Sequence, residues 1–389
     1  MNILVLAKQF PYPLHDGASI AIHMLCRGLV NAGAMVDLIS FNTTKHFYDG
    51  PVDIDELAHY RDIELVPLDN LPTALGGLLN LFSKESYHVS RFYSEEMKKR
   101  ITEKLSAKHY DVVQIESSHL LVYLSHIRSY FNGRIVLRAH NIEHVIWKRH
   151  SQTLSHTLYS WYHGLQADRF KQFEDQMVRE VDQILTVSEH DAIYFRGLNS
   201  STYVTPIGIE INSIRVSPKL RKPVYGFIGS MDWLPNHTGL RWFLDHVWIK
   251  ISVEATLIVA GRGSQLYECS DRRVKVLGEV CNADDFWNRI DVLVVPLFSG
   301  SGTRVKIIEA LSRSKLVLST SIGIEGIPAK DGVEAFIRDG VEAWTEAIIQ
   351  IYKQWSNYKF VSEAGFSLAS DKYDYNNIAA TVYGSYQNP

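Results

Sequence analysis

The sequence predicts an α/β protein built from two Rossmann-like, doubly wound domains. Short apolar runs rich in β-branched residues alternate with longer segments of helical periodicity, as expected for parallel strands joined by crossover helices. The pattern restarts near residue 205, where a basic link (SPKLRKP) leads into a second series of strands. The 389 residues suffice for two domains of ordinary size. We expect an N-terminal domain at 1–205, a C-terminal domain at 206–370 and a final segment, 371–389, that packs back towards the first domain.

The first strand–helix–strand unit is the clearest part of this pattern. Residues 3–7 form a buried strand, and residues 18–31 place their apolar side chains on one helical face. Gly33 ends this helix before the next strand at 36–40. Further buried strands are expected at 63–66, 112–115, 135–137 and 184–187 in the first domain, and at 224–228, 255–260, 274–277, 292–295 and 316–319 in the second.

Composition and charge exclude several classes of protein. Lys and Arg number 40 and Asp and Glu 43, so the net charge of −3 provides no large field for binding nucleic acid. The three cysteines are too widely spaced for a disulfide framework or a metal knuckle. The N-terminal apolar run is too short for a signal peptide, and no apolar stretch reaches the length of a membrane span. These features predict a cytoplasmic protein and leave open a peripheral contact with the inner membrane face.

The segment PLFSGSGTRVKIIEA carries the strongest chemical signal. It runs from a buried strand through a turn with Gly300 and Gly302 into an amphipathic helix. Backbone amides beside glycines and a helix N-terminus attract an anion. Arg304 and Lys306 add two positive charges at this end of the helix. Cations are unfavourable there because the helix dipole is positive at its N-terminus, so their presence indicates an anion above them. Glu309, deeper in the helix, would reach the hydroxyls of a ribose. The alternative is an ordinary strand–helix turn with solvated charges.

Two further loops of the second domain follow predicted strands. Gly229 and Ser230 come directly after the strand at 224–228 and can present backbone amides to a phosphate. The alternative is a tight turn with Trp233 in the core. The loop AGRGS lacks the last glycine of a GxGxxG fingerprint and is a weak dinucleotide signal.

Two positions in the N-terminal half would face a ligand. Gly17, beside Asp16, would let the chain approach a phosphate or a sugar, unless this is a plain turn. His140 follows the strand at 135–137. It would point into a cleft between the two domains, because ligands bind beyond the carboxyl ends of parallel strands.

Three other motifs have competing interpretations. HNIEH matches the H-x-x-E-H signature of zinc proteases, but His140 comes directly off a strand, so we expect that His140 and His144 do not share a helical face. Asp53 and Asp55 form a D-x-D pair in a polar, helix-like stretch and are expected to be solvated. Residues 71–93 are apolar, then aromatic and basic, which fits either core packing under a loop or a lobe that contacts an acceptor or a membrane.

Taken together, the motifs resemble those of the retaining nucleotide-sugar glycosyltransferases of family 4, which have the GT-B architecture of two facing Rossmann domains. The resemblance spans nearly the whole chain and is greatest to the subset that builds bacterial surface polysaccharides. It rests on DGA at 16–18, AHNIE at 139–143, VDQILTVSEHD at 181–191, GSMDWLPN at 229–236, VLGEV at 276–280 and GSGTRVKIIEA at 300–310. One motif alone would be weak, whereas six in the family's order are specific.

The resemblance implies where the donor and the acceptor bind. The donor's diphosphate is expected on the loop at Gly229 and on Arg304 and Lys306, its ribose on Glu309 and its base near Val280. The expected donor contacts are Gly17, Gly229, Ser230, Val280, Ser301, Gly302, Thr303 and Glu309. The expected catalytic residues are His140, which would contact the transferred sugar, Arg304 and Lys306, and the expected acceptor contacts are Asp16 and Glu143. Ser301 departs from the family's motif, which usually has a glutamate there, so the identity of the donor sugar stays open.

The implied reaction is transfer of a sugar from a nucleoside diphosphate sugar to an acceptor hydroxyl, with retention at the anomeric carbon. A UDP-sugar is the first expectation for the donor and a GDP-sugar the second, and the expected acceptor is a glycan or a lipid-linked intermediate of polysaccharide biosynthesis. No metal is required, because cationic side chains stabilise the leaving diphosphate. A sugar-nucleotide 2-epimerase of the same architecture and a non-catalytic glycosyltransferase-like binding protein are the alternatives. The missing GxGxxG disfavours a nicotinamide dehydrogenase.

Overall fold

The structure is a computed structural model that describes residues 1–14, 16–153, 157–211, 222–280, 282–299 and 302–387. The chain divides into two compact units, Met1–Gly208 together with the last helix, and Ile209–Asp374. Each unit contains one parallel sheet whose strands are joined through helices. This confirms the predicted fold class of two doubly wound α/β domains.

Unit 1 contains a seven-stranded sheet in the order β3-β2-β1-β4-β5-β6-β7. Its strands are β1 (Asn2–Ala7), β2 (Met35–Thr43), β3 (Tyr60–Leu68), β4 (Val112–Glu116), β5 (Arg134–Ala139), β6 (Gln183–Thr186) and β7 (Thr202–Val204). Its helices are α1 (Gly17–Asn31), α2 (Ala74–Asn80), α3 (Tyr87–Ser90), α4 (Glu95–Ala107), α5 (Leu124–Tyr130), α6 (Glu143–Thr153), α7 (Thr157–Met177), α8 (Glu189–Arg196) and the last helix, α14 (Tyr375–Gln387). The strand order reverses between β1 and β4, which places the switch point of the sheet at their carboxyl ends.

Both faces of this sheet are covered, as a parallel sheet requires. Along β1, Leu4 and Leu6 belong to one buried apolar cluster, whereas Ile3 and Val5 belong to another. Because successive side chains of a strand point to opposite faces, the two clusters lie on opposite sides of the sheet. A strand buried on both faces explains why the sequence shows a continuous apolar run here rather than an alternating one.

Helix α1 begins and ends where the sequence predicts. The Asp16 carboxylate accepts a hydrogen bond from the Ser19 amide at 2.8 Å and thereby caps the N-terminus. Just beyond the C-terminus, Gly33 adopts a φ of +97°, which favours glycine. On another face, a Cβ atom at Gly28 would lie 2.5 Å from the Ala379 side chain, so this glycine lets α14 pack closely against α1.

Unit 2 contains a six-stranded sheet in the order β10-β9-β8-β11-β12-β13. Its strands are β8 (Val224–Ile228), β9 (Thr256–Ala260), β10 (Val274–Gly278), β11 (Val292–Val295), β12 (Leu316–Ser319) and β13 (Phe336–Ile337). Its helices are α9 (Leu234–Trp242), α10 (Asp284–Trp287), α11 (Val305–Ser312), α12 (Val341–Lys353) and α13 (Lys359–Tyr373). The switch point of this sheet lies between β8 and β11.

All the strands that the sequence predicts are present, with ends that shift by up to three residues. The sequence does not predict β7 and β13, which have three and two residues. Both are edge strands and neither is fully buried, so no apolar run marks them. Within the described residues, no helix is both long and apolar enough to cross a membrane.

Candidate active site

Two loops that the sequence singles out meet at Lys306 in unit 2. This residue lies in the first turn of α11, and its Nζ donates hydrogen bonds to the Ile228 carbonyl at 2.7 Å and to Asn236 Oδ1 at 2.9 Å. A Cβ atom at Gly229 would lie 2.5 Å from Asn236 Nδ2 and 2.9 Å from Lys306 Nζ. The absence of a side chain at 229 therefore lets the lysine and the asparagine approach the loop that follows β8.

The loop AGRGS supports this arrangement from the neighbouring strand. The Gly229 amide donates to the Ala260 carbonyl at 3.1 Å, and the Met231 amide donates to the Arg262 carbonyl at 2.8 Å. Gly261 has a φ of +118°, and a Cβ atom there would lie 2.2 Å from the Gly229 carbonyl oxygen. The loop that resembled a weak dinucleotide fingerprint thus packs against the loop after β8, at the carboxyl end of the sheet.

Arg304 is the N-cap residue of α11 and is only 5% exposed. Its guanidinium lies over the Trp233 ring at 5.6 Å and donates to the carbonyl of Gly302, which has a φ of +81°. Burial lowers the pKa of Arg304 from its usual value. Thr303 is half-buried, and no hydrogen-bond partner for its buried Oγ1 lies within the described residues. Trp233, which the alternative interpretation placed in the core, is 38% exposed.

Two ionisable groups of α11 have strongly shifted pKa values. Burial, together with the nearby charge of Arg304, lowers the pKa of Lys306 to about 7. Burial raises the pKa of Glu309 to about 7, with Asp284 acting in the same direction and Arg313 against it. A lysine and a glutamate that both titrate near neutral pH within one helix turn are more typical of a functional site than of a solvated surface.

Two further predicted donor contacts, Val280 and Ser301, are not joined to Lys306 by a described contact. Val280 is half-buried in the segment after β10, the edge strand of the sheet. Ser301, like Gly300, lies outside the described residues. In unit 2 the structure thus brings together Gly229, Lys306 and the loop that contains Ser230, whose carbonyl accepts from Asn236 at 2.9 Å.

In unit 1, His140 follows β5 and forms a short hydrogen bond with a buried carboxylate. Its Nε2 lies 2.7 Å from Glu116 Oε2, at the end of β4. Burial opposes the ionisation of Glu116, but the charge of Arg138, whose Nη1 is 3.8 Å away, and the contact with His140 outweigh it and lower its pKa. Because a carboxylate only accepts, Nε2 of His140 carries the proton. Within the described part of the chain, its buried Nδ1 has no hydrogen-bond partner.

Glu143 lies nearby on the first turn of α6 and is also buried. Its carboxylate is 3.3 Å from Lys8 Nζ, just after β1, and 3.9 Å from His119 Nδ1. Burial raises the pKa of Glu143, but the charge of Lys8 and its hydrogen bond to the carboxylate outweigh it, so the net shift is downward. Ser117, between β4 and His119, has a φ of +147°, which is a strained conformation for a residue other than glycine and is typical of functional sites.

Asp16 and Gly17 lie in the loop after β1 and at the start of α1. Both carboxylate oxygens of Asp16 are engaged, Oδ1 by the Ser19 amide at 2.8 Å and Oδ2 by Gln9 Nε2 at 3.0 Å. Asp16 therefore has a structural role as a helix cap. Its predicted acceptor contact stays a prediction, as does the ligand contact of Gly17.

Within the described residues, the zinc and D-x-D motifs do not assemble a metal site. His144 lies within α6, where its Nδ1 is 2.7 Å from Glu174 Oε2, whereas His140 precedes the helix. The two histidines therefore face different carboxylates, and no group of three metal-binding side chains occurs in the described residues. Asp53 and Asp55 are exposed, as expected for solvated carboxylates.

Two family models match this chain. The model described as Glycosyltransferase Family 4 matches residues 15–212, more than half of the chain, and the model described as Glycosyl transferases group 1 matches residues 222–354. A relative from Klebsiella pneumoniae, described as an uncharacterized 44.6 kDa protein in the cps region, is 24% identical over 403 residues, which covers 98% of this chain and 99% of that protein.

Several solved structures share the fold. Anabaena Alr3699/HepE in complex with UDP and glucose aligns with a TM-score of 0.69 and 18% identity over 99% of this chain and 98% of that one. Sucrose-phosphate synthase from Thermosynechococcus elongatus aligns with a TM-score of 0.71 and 16% identity over 100% and 98%. WaaG, a glycosyltransferase involved in lipopolysaccharide biosynthesis, aligns with a TM-score of 0.66 and 14% identity over the whole of both chains.

These similarities confirm the predicted GT-B architecture, since the alignments span 99% and 100% of this chain and so include the sheets of both units. The model that matches residues 15–212 identifies the family independently of the fold. The protein therefore belongs to glycosyltransferase family 4 and is a sugar-transferring enzyme.

Proposed function

We propose that the protein is a retaining glycosyltransferase that moves a sugar from a nucleoside diphosphate sugar to a hydroxyl of a glycan or a lipid-linked acceptor. The observation that carries the proposal is the convergence of Lys306, Asn236 and the glycine loop after β8, beside the buried Arg304. Cationic side chains in the first turn of a helix, at the carboxyl end of a parallel sheet, are suited to a diphosphate. The proposed donor is a UDP-sugar first and a GDP-sugar second. The UDP in the Alr3699/HepE complex supports this order.

In the proposed reaction, the bond between the anomeric carbon and the diphosphate breaks and negative charge grows on the diphosphate. The acceptor oxygen bonds to the anomeric carbon on the same face, and the leaving diphosphate takes the proton of the acceptor hydroxyl. Lys306 and Arg304 would stabilise that charge without reorganising, because both are already held by neighbouring groups. The charge of two side chains replaces that of a metal ion, so we propose a metal-independent enzyme. Glu309 would bind the ribose, and His140 would accept a hydrogen bond from a hydroxyl of the transferred sugar through Nδ1.

A role in bacterial polysaccharide biosynthesis is part of the proposal. The Klebsiella pneumoniae relative described as a protein of the cps region supports it, as does the similarity of the fold to WaaG. With a lipid-linked acceptor, the proposed place of the enzyme is the cytoplasm, at the inner face of the membrane.

Nucleotide binding tests the donor assignment. A nucleoside diphosphate is expected to raise the melting temperature, because its diphosphate would compensate the buried charges of α11. GDP, ADP and dTDP carry the same diphosphate, so the larger shift that we expect with UDP follows from the proposed donor order and would come from the base. A nucleotide at a hundred times its Kd adds about 2.7 kcal/mol to the free energy of unfolding, which differential scanning fluorimetry detects easily. EDTA is expected to leave the UDP shift unchanged.

The Lys306→Ala variant is the control for this experiment and should lose most of the UDP shift. If GDP alone stabilises the protein, the donor is a GDP-sugar. If no nucleotide shifts the melting temperature, or if EDTA abolishes the shift, the proposed metal-independent donor site is wrong.

An exposed apolar patch of unit 1 supports the proposed membrane contact. The patch consists of exposed side chains around α2 and at the start of α7, namely Leu71, Leu75, Leu78, Leu79, Phe82, Leu158, Tyr159 and Trp161. Phe82 is 90% exposed, so core packing, one of the two interpretations of residues 71–93, does not apply to this part of the segment. Single exposed apolar side chains are normal on a protein surface, whereas a group of eight is typical of an interaction site.

Hydrogen bonds join α2 to α7 beneath the patch. Gln166 Nε2 donates to Asn80 Oδ1 at 2.8 Å, and Arg169 Nη1 donates to the Asn80 carbonyl at 2.9 Å, so α7 fixes the end of α2. The exposed Lys84 and Arg149 lie close in sequence to the apolar residues of α2 and α7. Apolar and aromatic side chains with flanking cations are suited to a bilayer that contains anionic lipids.

Vesicle binding tests this contact. The wild-type protein is expected to sediment with vesicles of phosphatidylcholine and phosphatidylglycerol, and the variant Leu79→Ser/Phe82→Ser to bind at least about tenfold more weakly, because two apolar groups no longer enter the bilayer. Phe360→Ser, which removes a phenylalanine of unit 2 that is 57% exposed, is the matched control and should bind like the wild type. Equal binding by all three proteins would contradict the assignment of the patch.

A further inference from the structure

A chain of buried hydrogen bonds links the last helix to His140. The Tyr386 hydroxyl, on α14, donates to Gln114 Oε1 at 2.5 Å, and Gln114 Nε2 donates to Glu116 Oε1. The other carboxylate oxygen, Glu116 Oε2, accepts from His140 Nε2 at 2.7 Å. Gln114 and Glu116 have no exposed surface, so water does not replace these partners.

We propose that Tyr386 is a positioning residue for His140 and acts through Gln114 and Glu116. The C-terminal helix would then contribute to the reaction although none of its residues need touch the substrate. The inference rests on the proposed function, in which His140 contacts the transferred sugar.

The ionisation of Glu116 determines which groups donate and which accept along this series of hydrogen bonds. The ionised Glu116 can only accept, so it requires the amide hydrogens of Gln114 on one oxygen and the Nε2 hydrogen of His140 on the other. That orientation leaves Gln114 Oε1 facing the Tyr386 hydroxyl, which must donate. A flipped amide would place Oε1 against the carboxylate. The hydroxyl therefore holds the glutamine in the one orientation that satisfies Glu116.

The same orientation determines which nitrogen of His140 is free for a substrate. With the proton of Nε2 directed at Glu116, the buried Nδ1 presents a lone pair, and no described residue bonds to it. Loss of the Tyr386 hydroxyl leaves Gln114 Oε1 buried without a donor and lets the amide rotate. Glu116 would then lose one of its partners, and the orientation of the His140 ring would be less well defined.

Other contacts hold α14 in place without the Tyr386 hydroxyl. Arg134 Nη1 donates to the Ser385 carbonyl at 2.6 Å, and Gln183 Nε2 donates to Ser385 Oγ at 2.9 Å. At the other end of the helix, Asn31 Nδ2 donates to Asn376 Oδ1 at 2.8 Å. Removal of one hydroxyl should therefore leave the helix docked, which separates a positioning role from a structural one.

Tyr386→Phe is the first variant to measure. We expect its kcat to fall by about threefold to tenfold, the factor that corresponds to one neutral hydrogen bond, with an unchanged KM for the donor. Tyr383→Phe is the matched control, because Tyr383 lies one turn earlier on α14 and packs beside the same apolar cluster, outside the hydrogen-bond chain. Its kcat should equal that of the wild type.

A double-mutant cycle tests whether Tyr386 acts through Gln114. Gln114→Met keeps the size of the side chain and removes the relay, so it should lower kcat at least as much as Tyr386→Phe. In the Gln114→Met background, Tyr386→Phe should have no further effect, since the residues act as one unit. Losses that multiply in the double variant would overturn the proposal.

The ring nitrogens of His140 provide a readout that does not depend on activity. In protein with ¹⁵N-labelled histidine, the signals of His140 are assigned by their absence from His140→Asn. We expect a protonated Nε2 in the wild type and in Tyr383→Phe, and a shift towards a mixture of tautomers in Tyr386→Phe. An unchanged tautomer together with an unchanged kcat would overturn the proposal. Absence of glycosyl transfer by the wild type would instead contradict the proposed function, while the nitrogen shifts would still test the chain of hydrogen bonds.

Discussion

Replacement of Lys306 by alanine is expected to lower kcat by about a hundredfold or more, the loss typical when one preorganised donor to a developing anion is removed. The two hydrogen-bond partners of its ammonium group, the Ile228 carbonyl and Asn236 Oδ1, are neutral oxygens. Neither oxygen carries a charge that balances the ammonium group, so a bound diphosphate would supply its counter-ion. Turnover of the donor in a steady-state assay measures the effect.

The pH dependence of donor binding measures the contribution that the charge of Lys306 makes to affinity, apart from the contribution of its side-chain volume. The pKa of this lysine is lowered to about 7 in the free protein, and a bound diphosphate would raise it. Binding then takes up a proton above pH 7, so the affinity of the wild type for UDP should fall as the pH rises. The Lys306→Ala variant should lose this dependence, and any slope that remains would belong to other groups such as Glu309, whose pKa is also about 7.

Lys315 provides a matched control for the alanine variant. This lysine is also buried, and its Nζ donates to the Ile290 carbonyl at 2.9 Å. It directly precedes β12 and so lies at the end of the sheet opposite the glycine loops. Lys315→Ala is expected to lower the melting temperature but to leave kcat unchanged. A loss of less than threefold in Lys306→Ala, with the protein folded, would remove Lys306 from the site.

The site of unit 2 could be predicted from the sequence because each of its parts lies in a loop after a strand or in the first turn of the helix that follows. Gly229, Arg304 and Lys306 lie in loops or first helical turns whose position is fixed by local patterns of glycine and apolar residues. The contact between Lys306 and Asn236 could not be predicted, because it depends on how α9 and α11 pack beside adjacent strands. The role of Gly261 was missed for the same reason, since its partner is the backbone of another loop.

In unit 1, the sequence indicates His140 but not the groups that hold it. Glu116 is 24 residues away in the chain and Gln114 bonds to Tyr386 across 272 residues, so no local pattern connects them. One signal was present: Glu116 ends the apolar run at 112–115, and a carboxylate at the carboxyl end of a buried strand is costly unless it is paired. Lys8, one residue beyond β1, carries a similar signal.

Glu116→Gln is expected to lower kcat by about a hundredfold, within the range by which acid–base and tautomer control contribute to catalysis. An amide at this position can donate to Nε2 of His140, which moves the proton of the imidazole to Nδ1. The nitrogen proposed to accept from the sugar would then be a donor. Because the charges of Arg304 and Lys306 are unchanged, the Kd for UDP should change by no more than about twofold. The binding free energy would then change by well under the roughly 1.4 kcal/mol that corresponds to a tenfold change in Kd.

Glu174 offers a control with nearly the same chemistry. It is fully buried, and its Oε2 lies 2.7 Å from His144 Nδ1, the same distance as in the pair of Glu116 and His140. Glu174→Gln should therefore cost a similar amount of stability, because each variant changes one buried carboxylate–histidine pair. Only Glu116→Gln should also reduce turnover. Equal losses of kcat in the two variants would indicate that both pairs merely hold the fold, and His140 would have no special role in the reaction.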